Sequence, residues 1–214
     1  MKTFGMCVAP LVLLLAGCGV GRTGAQAQLF DLGPPPAASA PASAQAREPV
    51  ALSFSAPQML TDTGVIWRVG DSASPHSYAT YRWAASPLQL VQQRVADTLS
   101  ASGPVVPESV DPRAPLLQVS LTRFEQVYAP DGKSSVGQVA MQAVLVRDRQ
   151  IVDSIRIARS APASTQDAQG GVLALRAATD AAATELGAWL SRSLSATSAS
   201  APATRGGLTL RSSP

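Results

Sequence analysis

From Val50 onward the apolar residues recur with two different periods, and the switches between them lay out a fold. Val50, Leu52 and Phe54 alternate with Ala51, Ser53 and Ser55, the period of a strand with one face in a core. Val65 to Val69 reads as a second strand; Gly70 to Pro75 is rich in turn residues, and Ser77 to Tyr81 brings the chain back as a hairpin. Between Ser86 and Gly103 the period lengthens. Leu88, Val91, Val95 and Leu99 share one helical face, while Gln89, Gln92, Gln93 and Asp97 occupy the other. Ser86 is a natural N-cap, Pro87 suits the first turn where its missing N–H is not needed, and Gly103 is the expected stop. Strand spacing then resumes at Leu117, Val119 and Leu121, turns at Asp131-Gly132, continues through Val139, Met141, Ala143 and Leu145, turns again over 147–150, and returns at Ile151, Ile155 and Ile157. A second helix is expected over 171–194, with Leu175, Ala178, Ala182, Leu186, Trp189 and Leu190 along one side. The elements predict one compact α/β domain over 49–194, a mixed, antiparallel-rich sheet of about five or six strands packed by two main helices.

Outside that domain the pattern changes character. Lys2 precedes an apolar stretch from Phe4 to Ala16, about 20 Å long as a helix and too short for the roughly 30 Å hydrocarbon core of a bilayer. Its length and flanks describe an export signal over 1–17. Leu15-Ala16-Gly17-Cys18 resembles the processing site of a bacterial lipoprotein signal. That resemblance implies a diacylglyceryl group on the Cys18 thiol, cleavage before Cys18 and acylation of the new amino terminus. The alternative is a plain signal peptide whose cysteine is incidental. Of the two cysteines, Cys7 lies inside the apolar stretch and leaves with it, so acylation accounts for an otherwise unpaired thiol in an exported chain. Three acyl chains hold far more firmly than the marginal binding of one. Gly19 stands where an aspartate would favour retention at the inner membrane, which by the same resemblance implies the outer membrane. Residues 18–48 read as the lipidated cysteine and a tether rich in Gly, Ala, Gln, Ser and Pro, about 100 Å long if fully extended. Gln28 to Gly33 is its one stretch with large apolar residues, and the one expected to dock on the domain if any does. Residues 195–214 are low in complexity and expected to be disordered.

Composition narrows the function classes. Apolar residues make up 46% of the 214, but charged residues only 14%, well below the roughly 25% usual for soluble domains. Seventeen Lys and Arg face fourteen Asp and Glu, and the arginines are scattered rather than gathered into the basic stripe that nucleic acid requires. No partner is therefore expected on electrostatic grounds alone.

The order of elements carries a resemblance. "GVIWRVG" followed by "YATYRWAASPLQLVQQRVADTL", then "LLQVSLTRFEQVYAPDGKSSVGQVAMQAVLV", then an alanine-rich helix ending in "LGAWL", resembles the ABC-type transport auxiliary lipoprotein family, which includes the PqiC-like proteins. The resemblance covers roughly residues 29 to 194, and the tail departs from it. It implies a non-enzymatic periplasmic component, with no cofactor, of a system built on an MCE-domain protein with an ABC permease and ATPase, moving phospholipids or other lipids between the two membranes.

Residues able to carry chemistry are few. His76 is the only histidine; it lies in a predicted loop with no cysteine or carboxylate cluster to complete a metal site, and no Gly-x-Ser-x-Gly elbow presents a serine to it. An envelope hydrolase would nonetheless have to use it. Asp111, Asp131 and Asp148 fall at turns, and Glu125 sits on a strand where it can pair with an arginine. Trp67 and Trp189 lie in apolar-patterned elements and are expected in the core. Tyr81, Arg82 and Trp83, just ahead of the first helix, are residue types enriched in protein interfaces and are the candidates for partner docking. Three functions stay open at this point: a docking subunit, possible as a homo-oligomer, a lipid carrier with its own apolar pocket, and a hydrolase.

Overall fold

The computed structural model describes residues 26–36 and 47–200, the last three for their backbone alone. The signal, Cys18, most of the linker and the chain beyond Ser200 lie outside the described residues. Eight strands form one sheet: β1 (Gln28–Phe30), β2 (Val50–Ser55), β3 (Gly64–Val69), β4 (His76–Trp83), β5 (Val105–Val106), β6 (Leu116–Tyr128), β7 (Ser135–Arg147) and β8 (Gln150–Pro162). Two helices, α1 (Pro87–Ser100) and α2 (Ala168–Ser200), complete the α/β domain. The sheet is mixed as expected, with more strands than the sequence periods mark.

β6 organises it. Along one edge it pairs antiparallel with β7, which pairs antiparallel with β8. Its other edge is shared: β2 runs parallel to its first half, from Leu116 to Ser120, and β3 parallel to its last three residues. β5 extends the sheet beyond β2, while β4 and then β1 extend it beyond β3. The two strands added to the expected set are the shortest, three and two residues long, and both join by parallel pairing.

The helices follow from their ends and their small residues. At α1 the Ser86 hydroxyl accepts the Gln89 N–H at 3.3 Å while the Gln89 side chain accepts the Ser86 N–H at 3.2 Å, a reciprocal cap that satisfies two of the orphan donors of the first turn. α2 is capped by Asp167, whose carboxylate accepts the Gly170 N–H at 2.8 Å. Leu175, Ala178, Ala182, Ala183, Leu186 and Leu190 of α2 are buried against Leu117, Val119, Leu121, Val139, Met141, Ala143 and Leu145 of the sheet. Gly137 sets how closely they meet, because a methyl group there would collide with the backbone of Ala174 and Leu175. α2 continues past the expected end at Leu194 to Ser200, and there Thr197 returns its hydroxyl to the Ser193 carbonyl.

Part of the expected tether belongs to this domain. β1 lies in register with Tyr81 to Trp83 of β4, and Leu32 is buried at 4% exposure. Arg94 of α1 donates to the Leu32 and Gly33 carbonyls at 2.7 Å each and pairs with Asp180 of α2. Arg176 holds the Pro34 carbonyl at 2.9 Å.

Candidate functional site

Three connections converge at the end of the sheet where β3 and β6 finish. The loop joining β3 to β4, the turn over 129–134 and the approach to α2 surround a cleft of about 310 Å³ lined by Trp67, Val69, Tyr78, Tyr128, Ala129, Pro130, Gly132 and Gln166. Gly132, at φ 68°, supplies the left-handed residue of its turn. Trp67 sits at the centre of an aromatic group: the His76 imidazole stacks on it at 4.5 Å, Tyr128 meets it edge-on at 5.7 Å, and Tyr78 lies 6.0 Å away. Such pairs each stabilise by about 0.5–1.5 kcal/mol beyond the area they bury.

Below the rings is a polar floor. Gln126, fully buried, donates through its amide to the Asp167 carbonyl at 3.2 Å and to Ser135 Oγ at 2.8 Å, so its oxygen faces Tyr78 and accepts that hydroxyl at 2.9 Å. Tyr78 has then committed its only proton, and the 2.6 Å contact between the two phenols is Tyr128 donating to Tyr78. Burial, together with the hydrogen bond to Tyr128, raises the Tyr78 phenol well above its ordinary range, so it stays protonated at every physiological pH. Alongside, Glu125, at 3% exposure, accepts Arg68 Nε at 2.8 Å, the arginine partner its strand position invites.

Ring faces, a proline and a hydrogen-bonded hydroxyl pair offer stacking and apolar contact, and among the described residues the His76 ring makes its contact with Trp67 rather than a hydrogen bond to a carboxylate or serine. Among those residues, too, no group of three His, Cys, Asp or Glu side chains is placed to hold a metal ion. At about 310 Å³ the cleft stands at the bottom of the roughly 300–1,000 Å³ range of pockets for drug-sized ligands, small for a two-chain phospholipid.

The sequence-predicted positions divide in an unexpected way. Trp83 is 1% exposed, its ring meeting Phe124 at 5.3 Å, and is a core residue. Tyr81 is half-buried and stacks on Phe30 at 5.5 Å; Arg82 donates to the Tyr78 and Tyr81 carbonyls at 2.6 and 2.7 Å. The strand edge on which all three sit is already occupied by β1. Trp67, expected in the core, is instead the half-exposed centre of the cleft, whereas Trp189 is buried as expected and donates to Asp153 at 2.9 Å. Tyr78 and Tyr128 were not singled out by the sequence; the signal available for Tyr128 was the phase of β6, which places it on the side of Phe124 and Gln126, whereas the irregular register of β4 against β3 offered none for Tyr78. Cys18 lies outside the described residues, and no helix among those described is long and apolar enough to cross a membrane.

Comparisons with known proteins cover most of the chain. The family model for the ABC-type transport auxiliary lipoprotein component matches residues 30–187. A crystal structure of a Xanthomonas campestris protein of the DUF330 family is similar at TM-score 0.62 and 20% identity, covering 71% of this chain and 87% of that one. A second solved structure, of an uncharacterized protein, is similar at TM-score 0.62 and 14% identity, covering 77% and 99%. At these identities the likeness is one of fold. The search of curated proteins returned no match.

Proposed function

Because this chain belongs to the ABC-type transport auxiliary lipoprotein family, we propose that it is an acyl-anchored, non-enzymatic subunit of a lipid-transport system, held at the periplasmic face of the outer membrane and docking on an MCE-domain partner served by an ABC permease and ATPase. One observation carries this reading: the family match runs from the end of β1 into α2, over residues 30–187, and upstream of it stands Leu15-Ala16-Gly17-Cys18. The lipoprotein-like sequence and the family domain stand in the order a tethered subunit needs. Its mechanism is positional. Confinement near a membrane raises the effective concentration of the domain for its partner, so that modest intrinsic affinity is enough for assembly.

The test is recovery of the partner. The full acylated chain, solubilised under mild detergent and captured, is expected to bring with it an MCE-domain protein, and a Cys18→Ala variant is expected to recover less because it is no longer concentrated at the membrane. Recovery of no MCE protein by the acylated chain would overturn the docking role.

A further inference from the structure

Upstream of β1 the chain points toward the end of the sheet that carries the aromatic cleft. β1 begins at Gln28, in register with Tyr81, and runs parallel to β4, whose first residue, His76, is paired with Trp67. Phe30 stacks on Tyr81 at 5.5 Å, Tyr81 meets Tyr78 at 5.8 Å, and Tyr78 lies 6.0 Å from Trp67, so one row of rings joins the first strand to the cleft. Ten peptide steps separate Cys18 from Gln28; at about 3.3–3.6 Å each they reach no more than about 35 Å. β6, 13 residues long, spans roughly 40 Å at about 3.3 Å per residue. Through Arg82 and Gly64, β1 is level with the middle of β6, somewhat nearer the cleft end than the turn between β7 and β8.

We propose that the cleft end, presenting Trp67, Val69, Tyr78, Tyr128 and Pro130, rests in the interfacial layer of the bilayer that holds the Cys18 acyl chains; this inference rests on the anchoring stated above. Tyrosine and tryptophan suit headgroup depth because each has an apolar body and a polar tip. Leu29 and Leu173, 64% and 51% exposed, line a separate pocket between β1 and α2. Exposed charge at the cleft end is Asp71, Asp131 and Asp167 against Lys133, which is no polybasic patch for anionic lipid. Ring insertion rather than charge makes the contact, so zwitterionic lipid suffices.

Depth-dependent quenching tests it on the acylated full chain in vesicles of phosphatidylcholine and phosphatidylethanolamine. With the Cys18 sulfur acylated, a bimane label goes only to an introduced thiol, Ser134→Cys at the cleft end or Glu108→Cys at the far end, both exposed positions. Lipids bearing a nitroxide at the headgroup are expected to extinguish the label at 134 and leave that at 108 bright, at low and raised salt alike. Equal quenching at both positions, quenching at 108 alone, or quenching abolished by salt, in protein that floats with the vesicles, overturns the proposed contact and leaves the anchoring reading standing. Protein that does not float and carries an unmodified Cys18 by mass overturns the anchoring reading and the contact with it.

Discussion

Val65, Trp67 and Val69 alternate onto one side of β3, yet their exposure climbs along it, from 0% at Val65 to 40% at Val69. The strand keeps its phase while the layer packed on it comes to an end, and Trp67 stands at that boundary. Trp83 has the opposite history: it closes β4 rather than leading into a helix, and its ring fills the core against Phe124. Another single residue couples the two layers. Asp153 of β8 accepts Ser193 Oγ at 2.5 Å and Trp189 Nε1 at 2.9 Å from α2, and the serine's hydrogen bond is the chief reason its carboxyl is held below the ordinary value of 3.8. A carboxyl depressed in the folded state contributes stability that is present above the ordinary value and lost as pH falls through the native one. Asp153→Asn is thus expected to flatten the acid limb of the stability curve, read as urea midpoints from neutral pH down to about 3. Residue types alone told little about which aromatic would be reachable, because Trp67 and Trp83 both sit in apolar strands and differ only in what lies above them.

At the scale of elements, legibility followed length. α1 was plain in the sequence because Ser86, Pro87 and four spaced apolar residues agree on one helix; β6, β7 and β8 were plain because 13 residues give an alternation room to repeat. β1 and β5 are too short for any period to register, and each pairs in parallel with a strand distant in the chain, so nothing local announces them. The turn over 147–150 was foreseen but not its conformation. Asp148 and Arg149 are both left-handed, at φ 52° and 62°, which matches the twist of a two-residue hairpin and disfavours side chains other than Asn, Asp or Gly. Arg149→Gly is expected to relieve that strain and raise stability by about 1 kcal/mol, measured by denaturant unfolding.

For the molecule as a whole, the folded unit begins earlier than its hydrophobic pattern suggests. A soluble form starting at Gln26 retains β1, Leu32 and the carbonyls that engage Arg94; one starting at Arg47 bares the edge of β4 and leaves that guanidinium short of two acceptors. The shorter form is expected to be less stable by about 3 kcal/mol, from the lost burial of Phe30 and Leu32 and the lost hydrogen bonds, as a drop in unfolding midpoint between the two. Family membership covers the same span, since the match starts at residue 30, within β1. There is also a mechanical side to the Arg94 clamp. A force applied from the upstream chain along the axis of β1 loads the β1 rungs and the arginine's bonds in shear, to be broken together rather than peeled one by one.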